Sequence, residues 1–123
     1  MEFFATTIIP ASAADLQRRL TISELPNWCA SIEQVLSDEK SSGEIYCVWG
    51  TFLVHRGDLC NGVRFSLPGC PYAFQWTVTT GIQPNPQHTS IHLTINGTEH
   101  DQDFIESIQQ FVADWKSGLE TNW

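Results

Sequence analysis

Apolar residues recur along this chain with two different periods, and the changes of period divide it into elements. Residues 2–9, Glu-Phe-Phe-Ala-Thr-Thr-Ile-Ile, are β-branched and aromatic and predict a strand that Pro10 ends. Ser12 has the character of a helix N-cap, and Leu16 and Leu20, one turn apart, predict a short helix to about Leu20. Thr21 to Cys29 reads as a second short helical turn, carrying Trp28 and broken near Pro26. The period then falls to two. Residues 30–37 form a weak strand, followed by a turn cluster from Asp38 to Gly43. Residues 44–55 read as one long aromatic strand, bent or bulged at Gly50. Val63, Phe65 and Leu67 alternate with Arg64 and Ser66, and Phe74, Trp76 and Val78 alternate with Gln75, Thr77 and Thr79. Pro68 to Pro71 is a turn between them, and Gly81 to Gln87 is a loop. Ile91, Leu93 and Ile95 alternate with Ser90, His92 and Thr94, which gives one wet face and one dry face.

The last block returns to a helical period. Phe104, Ile108, Phe111, Val112, Trp115 and Leu119 form one stripe on a helix of about 103–119, and Asp103 with Glu106 has the spacing of a capping box. Burying that stripe gives a gross hydrophobic gain on the order of 10 kcal/mol, at about 1.5–3 kcal/mol per large side chain. The helix therefore needs a sheet to lie on. Short connections make antiparallel pairing the default. The expected fold is α+β, within a single domain spanning 1–123. An antiparallel sheet of about six strands curves around the long C-terminal helix, and two short helices follow the first strand.

At 123 residues the chain is long enough to bury about two thirds of its unfolded surface. Its 41% apolar and 11% aromatic content is that of a globular protein. Fourteen acidic residues against six basic ones give a net charge of −8, and only Arg18 and Arg19 are adjacent cations. Nucleic acid and anionic membrane surfaces are poor partners for that distribution. No apolar run approaches the ~18 residues of a membrane span, and Met1-Glu2-Phe3-Phe4 lacks the basic start of a secretory signal. A soluble, cytoplasmic protein is expected. Cys29, Cys47, Cys60 and Cys70 contain no C-x-x-C pair and read as small buried hydrophobes. A zinc site from His55, Cys60, Cys70 and His88 matches no compact ligand module, and a Cys60–Cys70 bridge would imply an oxidising compartment. Neither a metal nor a cofactor is expected.

Four stretches carry a family resemblance. They are the opening strand ending in Ile9-Pro10-Ala11-Ser12; Glu24-Leu25-Pro26-Asn27-Trp28; Gly43 at the head of the long strand; and Phe111-Val112-Ala113-Asp114-Trp115 with Leu119. In this order they resemble the helix-grip START/SRPBCC superfamily, with the polyketide cyclase/dehydrase-like and heat-shock-protein-activator-like branches nearest. The resemblance spans nearly the whole chain. It implies a sheet wrapped around the terminal helix and a gap between them that holds an apolar ligand.

The residues themselves offer no nucleophile elbow, P-loop, dinucleotide fingerprint or H-E-x-x-H motif, so the sequence does not decide whether the protein is an enzyme. His88 and His92, four apart on a strand, stand some 13 Å from each other at ~3.3 Å per residue, too far to share an ion. The aromatic set is the better candidate. Trp49, Phe52, Phe65, Phe74, Trp76, Phe111 and Trp115 fall on strand or helix faces, either as core or as the lining of a cavity with indole N–H groups as polar handles. His55 and Arg64 are the candidates for fixing a ligand's polar end, and Phe3 and Phe4 for capping a sheet edge or meeting a partner subunit. The leading expectation is a module that binds an apolar or aromatic small molecule. The alternative is a non-enzymatic interaction protein with a filled core, acting as a homodimer or adapter. A cone-shaped enzyme of the ketosteroid-isomerase type would begin with a long helix, whereas this chain begins with a strand.

Overall fold

In the computed structural model, which describes residues 1–123, β1 (Glu2–Thr7) leads into α1 (Ala13–Arg19), a 3-10 turn at Ile22–Glu24 and α2 (Leu25–Trp28). Six strands follow: β2 (Ile32–Asp38), β3 (Ser42–Cys47), β4 (Gly50–Leu59), β5 (Gly62–Ser66), β6 (Gln75–Thr80) and β7 (Thr89–Thr94). The chain ends in α3 (Gln102–Asn122). All neighbouring strands are antiparallel, in the order β1-β7-β6-β5-β4-β3-β2, so β1 and β2 are the two edges.

The sheet has seven strands because residues 44–55 are two strands and not one. Cys47 pairs with Gly50, leaving Val48 and Trp49 as a tight hairpin tip. Gly50 closes that tip at φ +113°, a conformation L side chains rarely adopt. On β3 the inward residues are the odd-numbered Ile45 and Cys47, while on β4 they are the even-numbered Phe52, Val54 and Arg56. The parity of the inward positions switches across the two-residue tip, while paired residues such as Ile45 and Phe52 share one face. His55 consequently points outward.

Register aligns the inner face into rows. Phe65 pairs with Trp76, Trp76 with Leu93, and Leu93 with Phe3, so one apolar band crosses four strands. α3 lays its stripe on this band. Phe111 meets Trp76 edge-on with centroids 5.0 Å apart, and Trp115 lies 5.9 Å from Phe65. Twenty-five buried apolar residues form one continuous core.

The short elements are secured by specific caps. Ser12 and Asp15 form a reciprocal capping box on α1, at 3.0 and 3.1 Å. At the other end of α1, Arg56 donates to the carbonyls of Leu20 (2.7 Å) and Gln17 (2.5 Å), satisfying acceptors that a helix end leaves open. The helical stretch from Thr21 to Cys29 is broken next to Pro26, as expected, into the 3-10 turn and α2. Pro26 itself belongs to α2. It lies in the first turn, where its missing N–H has no partner to lose. α3 begins at Gln102 after Asp101, with no side-chain cap, so the box expected from Asp103 and Glu106 is not formed. Asp103 lies two residues past the N-cap position, inside the first turn, and contributes there as an anion near the positive helix end. Near the other end of α3 a Cβ on Gly118 would run into the Trp28 carbonyl, so α2 and α3 touch backbone to backbone.

Only two cysteines match the expectation of burial. Cys29 and Cys47 are buried, Cys60 is exposed and Cys70 half-buried, and all four thiols are free. Cys60 sits in the β4–β5 turn and Cys70 in the β5–β6 loop, where the chain is at the surface. No three His, Cys, Asp or Glu side chains are close enough to hold a metal.

Two substitutions test this packing. Trp115→Ala should cost about 3–5 kcal/mol in denaturant unfolding, because the side chain is fully buried. Gly118→Ala should also destabilise, by about 1–3 kcal/mol from overpacking, although helix propensity alone would raise stability by about 1 kcal/mol. A stabilised Gly118→Ala protein would mean that α2 and α3 are further apart than described.

Candidate functional site

The inner face is not filled uniformly. Around Phe65, Trp76, Phe111 and Trp115 the rings close on each other and solvent has no access. At the start of α3 the packing opens. There a cavity of about 240 Å³ lies between the β3–β4 hairpin, the β5–β6 loop and the first turn of α3. It is lined by Trp49, Phe52, Leu67, Cys70, Pro71, Tyr72, Phe74 and Phe104. The exposed wall is wholly apolar.

Trp49 is held in place from α3. Its Nε1–H donates to Ser107 Oγ at 2.8 Å, and the Ser107 hydroxyl donates to the Phe104 carbonyl at 2.6 Å. The indole packs 4.9 Å from Phe74, 5.3 Å from Phe111 and 6.1 Å from Phe104. Tyr72 approaches Phe104 to 5.4 Å from the loop side. The loop bends through a positive φ of 51° at Ala73 and is tied down by Leu67 N–H to the Phe74 carbonyl at 2.9 Å. Burial raises the Cys47 thiol pKa, with nearby Cys70 a lesser influence, and burial raises that of Cys29 as well. Neither is a nucleophile at neutral pH.

Of the nine residues singled out in the sequence, Trp49, Phe52 and Phe74 line the cavity. Phe65, Trp76, Phe111 and Trp115 are buried in the core behind it. The indole N–H groups of Trp76 and Trp115 have no partner, and the handle on Trp49 is occupied by Ser107. His55 and Arg64 do not come to the cavity. Both are exposed, His55 because β4 turns its even positions inward, Arg64 because Val63 and Phe65 take the inner face of β5. Arg56 is the inward cation of this region, and its guanidinium is committed to α1 and to Asp58 at 3.0 Å. His92 lies on the outer face, stacked on Phe4 at 4.4 Å and 3.0 Å from Glu2. Phe4 is exposed on edge strand β1, while Phe3 packs against the core.

Tyr72 and Phe104 escaped the sequence reading as site residues. Phe104 is visible as the first member of the helical stripe. It overhangs the end of the sheet's apolar band, and that position could have marked it.

No model of a known protein family matches this sequence, and no curated protein matches it. Solved structures do match its fold. A START superfamily protein from Mycobacterium smegmatis superposes with a TM-score of 0.65 at 12% identity, covering 97% of this chain and 94% of that one. The protein XoxI from Bacillus cereus gives 0.60 at 12% identity over 98% and 96% of the two chains. An uncharacterised protein from Bacillus thuringiensis gives 0.61 at 10% identity over 98% and 99%. The chain therefore has a START-like helix-grip fold: a seven-stranded antiparallel sheet, two short helices after the first strand, and a long C-terminal helix.

Proposed function

We propose that this protein is a small-molecule binding module that takes an apolar or aromatic group into the cavity between the hairpin tip, the β5–β6 loop and Phe104. The observation that carries this reading is the apolar cavity of about 240 Å³. An engineered cavity of about 150 Å³ with apolar walls already accommodates benzene. The space here therefore suits one ring or a short alkyl chain. Trp49, Phe52 and Phe74 are its contact residues, with Tyr72 and Phe104 added to the set inferred from sequence. Phe65, Trp76, Phe111 and Trp115 support the wall from behind. The likeness to a START superfamily structure supports the same reading at the level of fold.

A filled interior would have favoured an interaction protein, and this opening at the end of the core favours a binder. We place the protein in the cytoplasm, in keeping with its four free thiols, and regard nucleic acid as an unsuitable partner for a chain of net charge −8. No helix is long and apolar enough to cross a membrane. Placement near the polyketide cyclase/dehydrase-like or heat-shock-protein-activator-like branches rests on the sequence stretches given above.

A thermal-shift screen of one-ring and short-chain compounds tests this. A ligand at 100 times its Kd adds about 2.7 kcal/mol to the native state, and Cys70→Phe, which fills the cavity, should abolish the shift while leaving the fold intact. Bound ligand should also slow alkylation of Cys70 while exposed Cys60 reacts at its usual rate. The absence of any shift across an apolar library would overturn the reading.

A further inference from the structure

The apolar cavity does not end at Tyr72 and Phe104. These two rings also border an open polar bay of about 630 Å³ that is completed by Glu99, His100 and Asp101. A ligand longer than the cavity has room to extend its other end past Tyr72 and Phe104 into this bay. The bay has a definite electrostatic sign. Residues 65–115 contain no Lys or Arg and include five carboxylates, at Glu99, Asp101, Asp103, Glu106 and Asp114. Neither Glu99 nor Asp101 is in an ion pair. Arg64 and Lys116 flank this stretch in sequence, and Arg56 is engaged at α1. The Met1 ammonium donates to the Ile95 and Gly97 carbonyls at 3.0 and 3.3 Å, two residues before Glu99, and forms no ion pair with either carboxylate.

The start of α3 offsets only part of this charge, since a helix N-terminus carries roughly half a positive charge. Two full carboxylates outweigh the helix end and the Met1 ammonium together, by a narrow margin. The bay's other walls are aromatic rings: His100 meets Tyr72 edge-on at 5.0 Å and lies 5.7 Å from Phe104. His100 Nε2–H donates to the Asn96 carbonyl at 2.8 Å, which fixes the ring in the wall. Aromatic faces backed by carboxylates attract organic cations and repel anions.

Resting on the binding-module reading, we infer that the cavity and the bay form one bipartite site for an organic cation. Its apolar body lies against Trp49 and Phe74, and its ammonium group lies against Tyr72 and Phe104, facing Glu99 and Asp101. Carboxylate- and phosphate-bearing amphiphiles are excluded by the same charges.

Three probes with one shared phenylethyl body test this on the full-length protein at pH 8, where an ordinary histidine is neutral. They are phenethyltrimethylammonium, 2-phenylethanol and 3-phenylpropionate, titrated by protein-observed NMR. The cation should bind on the order of tenfold tighter than the anion and severalfold tighter than the alcohol, and its advantage should shrink as salt screens the carboxylates. Glu99→Gln combined with Asp101→Asn should reduce the cation to the affinity of the alcohol and leave the alcohol unchanged. Asp101 makes no side-chain capping bond, so Asn at 101 removes none, and Glu99→Gln alone gives a partial loss if the pair impairs folding. Equal binding of cation and alcohol, or a cation affinity untouched by the variants, overturns this inference and leaves the apolar cavity standing. Failure of all three probes, the alcohol included, overturns the binding-module reading and this inference with it.

Discussion

The contact of Phe111 and Trp115 with Phe65 and Trp76 sets the position of everything else. These four side chains are buried to within a few per cent of completeness, and they join a helix to the middle of a sheet formed from residues far away in sequence. Near its C-terminal end the same helix is pressed on α2 through Gly118 and Trp28. Ile108, Phe111, Val112, Trp115 and Leu119 are all buried, whereas Phe104 is only half-buried. A rigid rod fixed at its middle and far end leaves a wedge at its near end. The cavity is that wedge. Its position follows from where the helix is tight, and no special cavity-forming motif is required.

One residue type performs two tasks within this arrangement. Trp76 and Trp115 sit where closure is complete, and their indole N–H groups lack partners. Leaving a buried donor unpaired costs about 1–3 kcal/mol, which the burial of two large aromatic surfaces offsets. Trp49 sits on a two-residue hairpin tip and has its N–H satisfied by Ser107. That bond ties the hairpin to α3 and keeps a large ring at the cavity edge instead of in solvent. The hairpin thus acts as a clamp across the wedge, and Gly50 makes the clamp's tight turn feasible.

Periodicity made most of the fold legible. The strands over 62–67, 74–79 and 89–96, the Ser12 cap and the terminal stripe all follow from alternation, capping chemistry and a 3.6-residue repeat. The site was less legible, and one misread element explains much of that. A continuous strand over 44–55 hides the change of inward parity across Val48 and Trp49, which turns His55 outward. The signal was present: Ile45 and Cys47 are odd, Phe52 and Val54 even, and a single regular strand cannot place both pairs on one face. Arg64, a candidate for a ligand's polar end on residue type alone, faces outward because its neighbours Val63 and Phe65 claim the inner face. Tyr72 carries no period at all. It belongs to a loop whose shape is set by Pro68, Pro71 and the positive φ of Ala73, and tertiary placement of such a residue is not encoded in local spacing.

The acidic residues at the head of α3 have a structural role independent of any ligand, because anions near a helix N-terminus are favoured by its dipole. Stability and recognition therefore do not conflict there. The helix lacks a side-chain cap at Asp101, so the field of Glu99, Asp101 and Asp103 supplies part of what a capping hydrogen bond would give. The same field faces outward across the bay, since Glu99 and Asp101 form no ion pair and the nearby Met1 ammonium is bonded to the Ile95 and Gly97 carbonyls. An apolar wedge bordered by uncompensated carboxylates thus follows from two local requirements. The helix must be held by its buried middle, and its exposed start must be stabilised by negative charge.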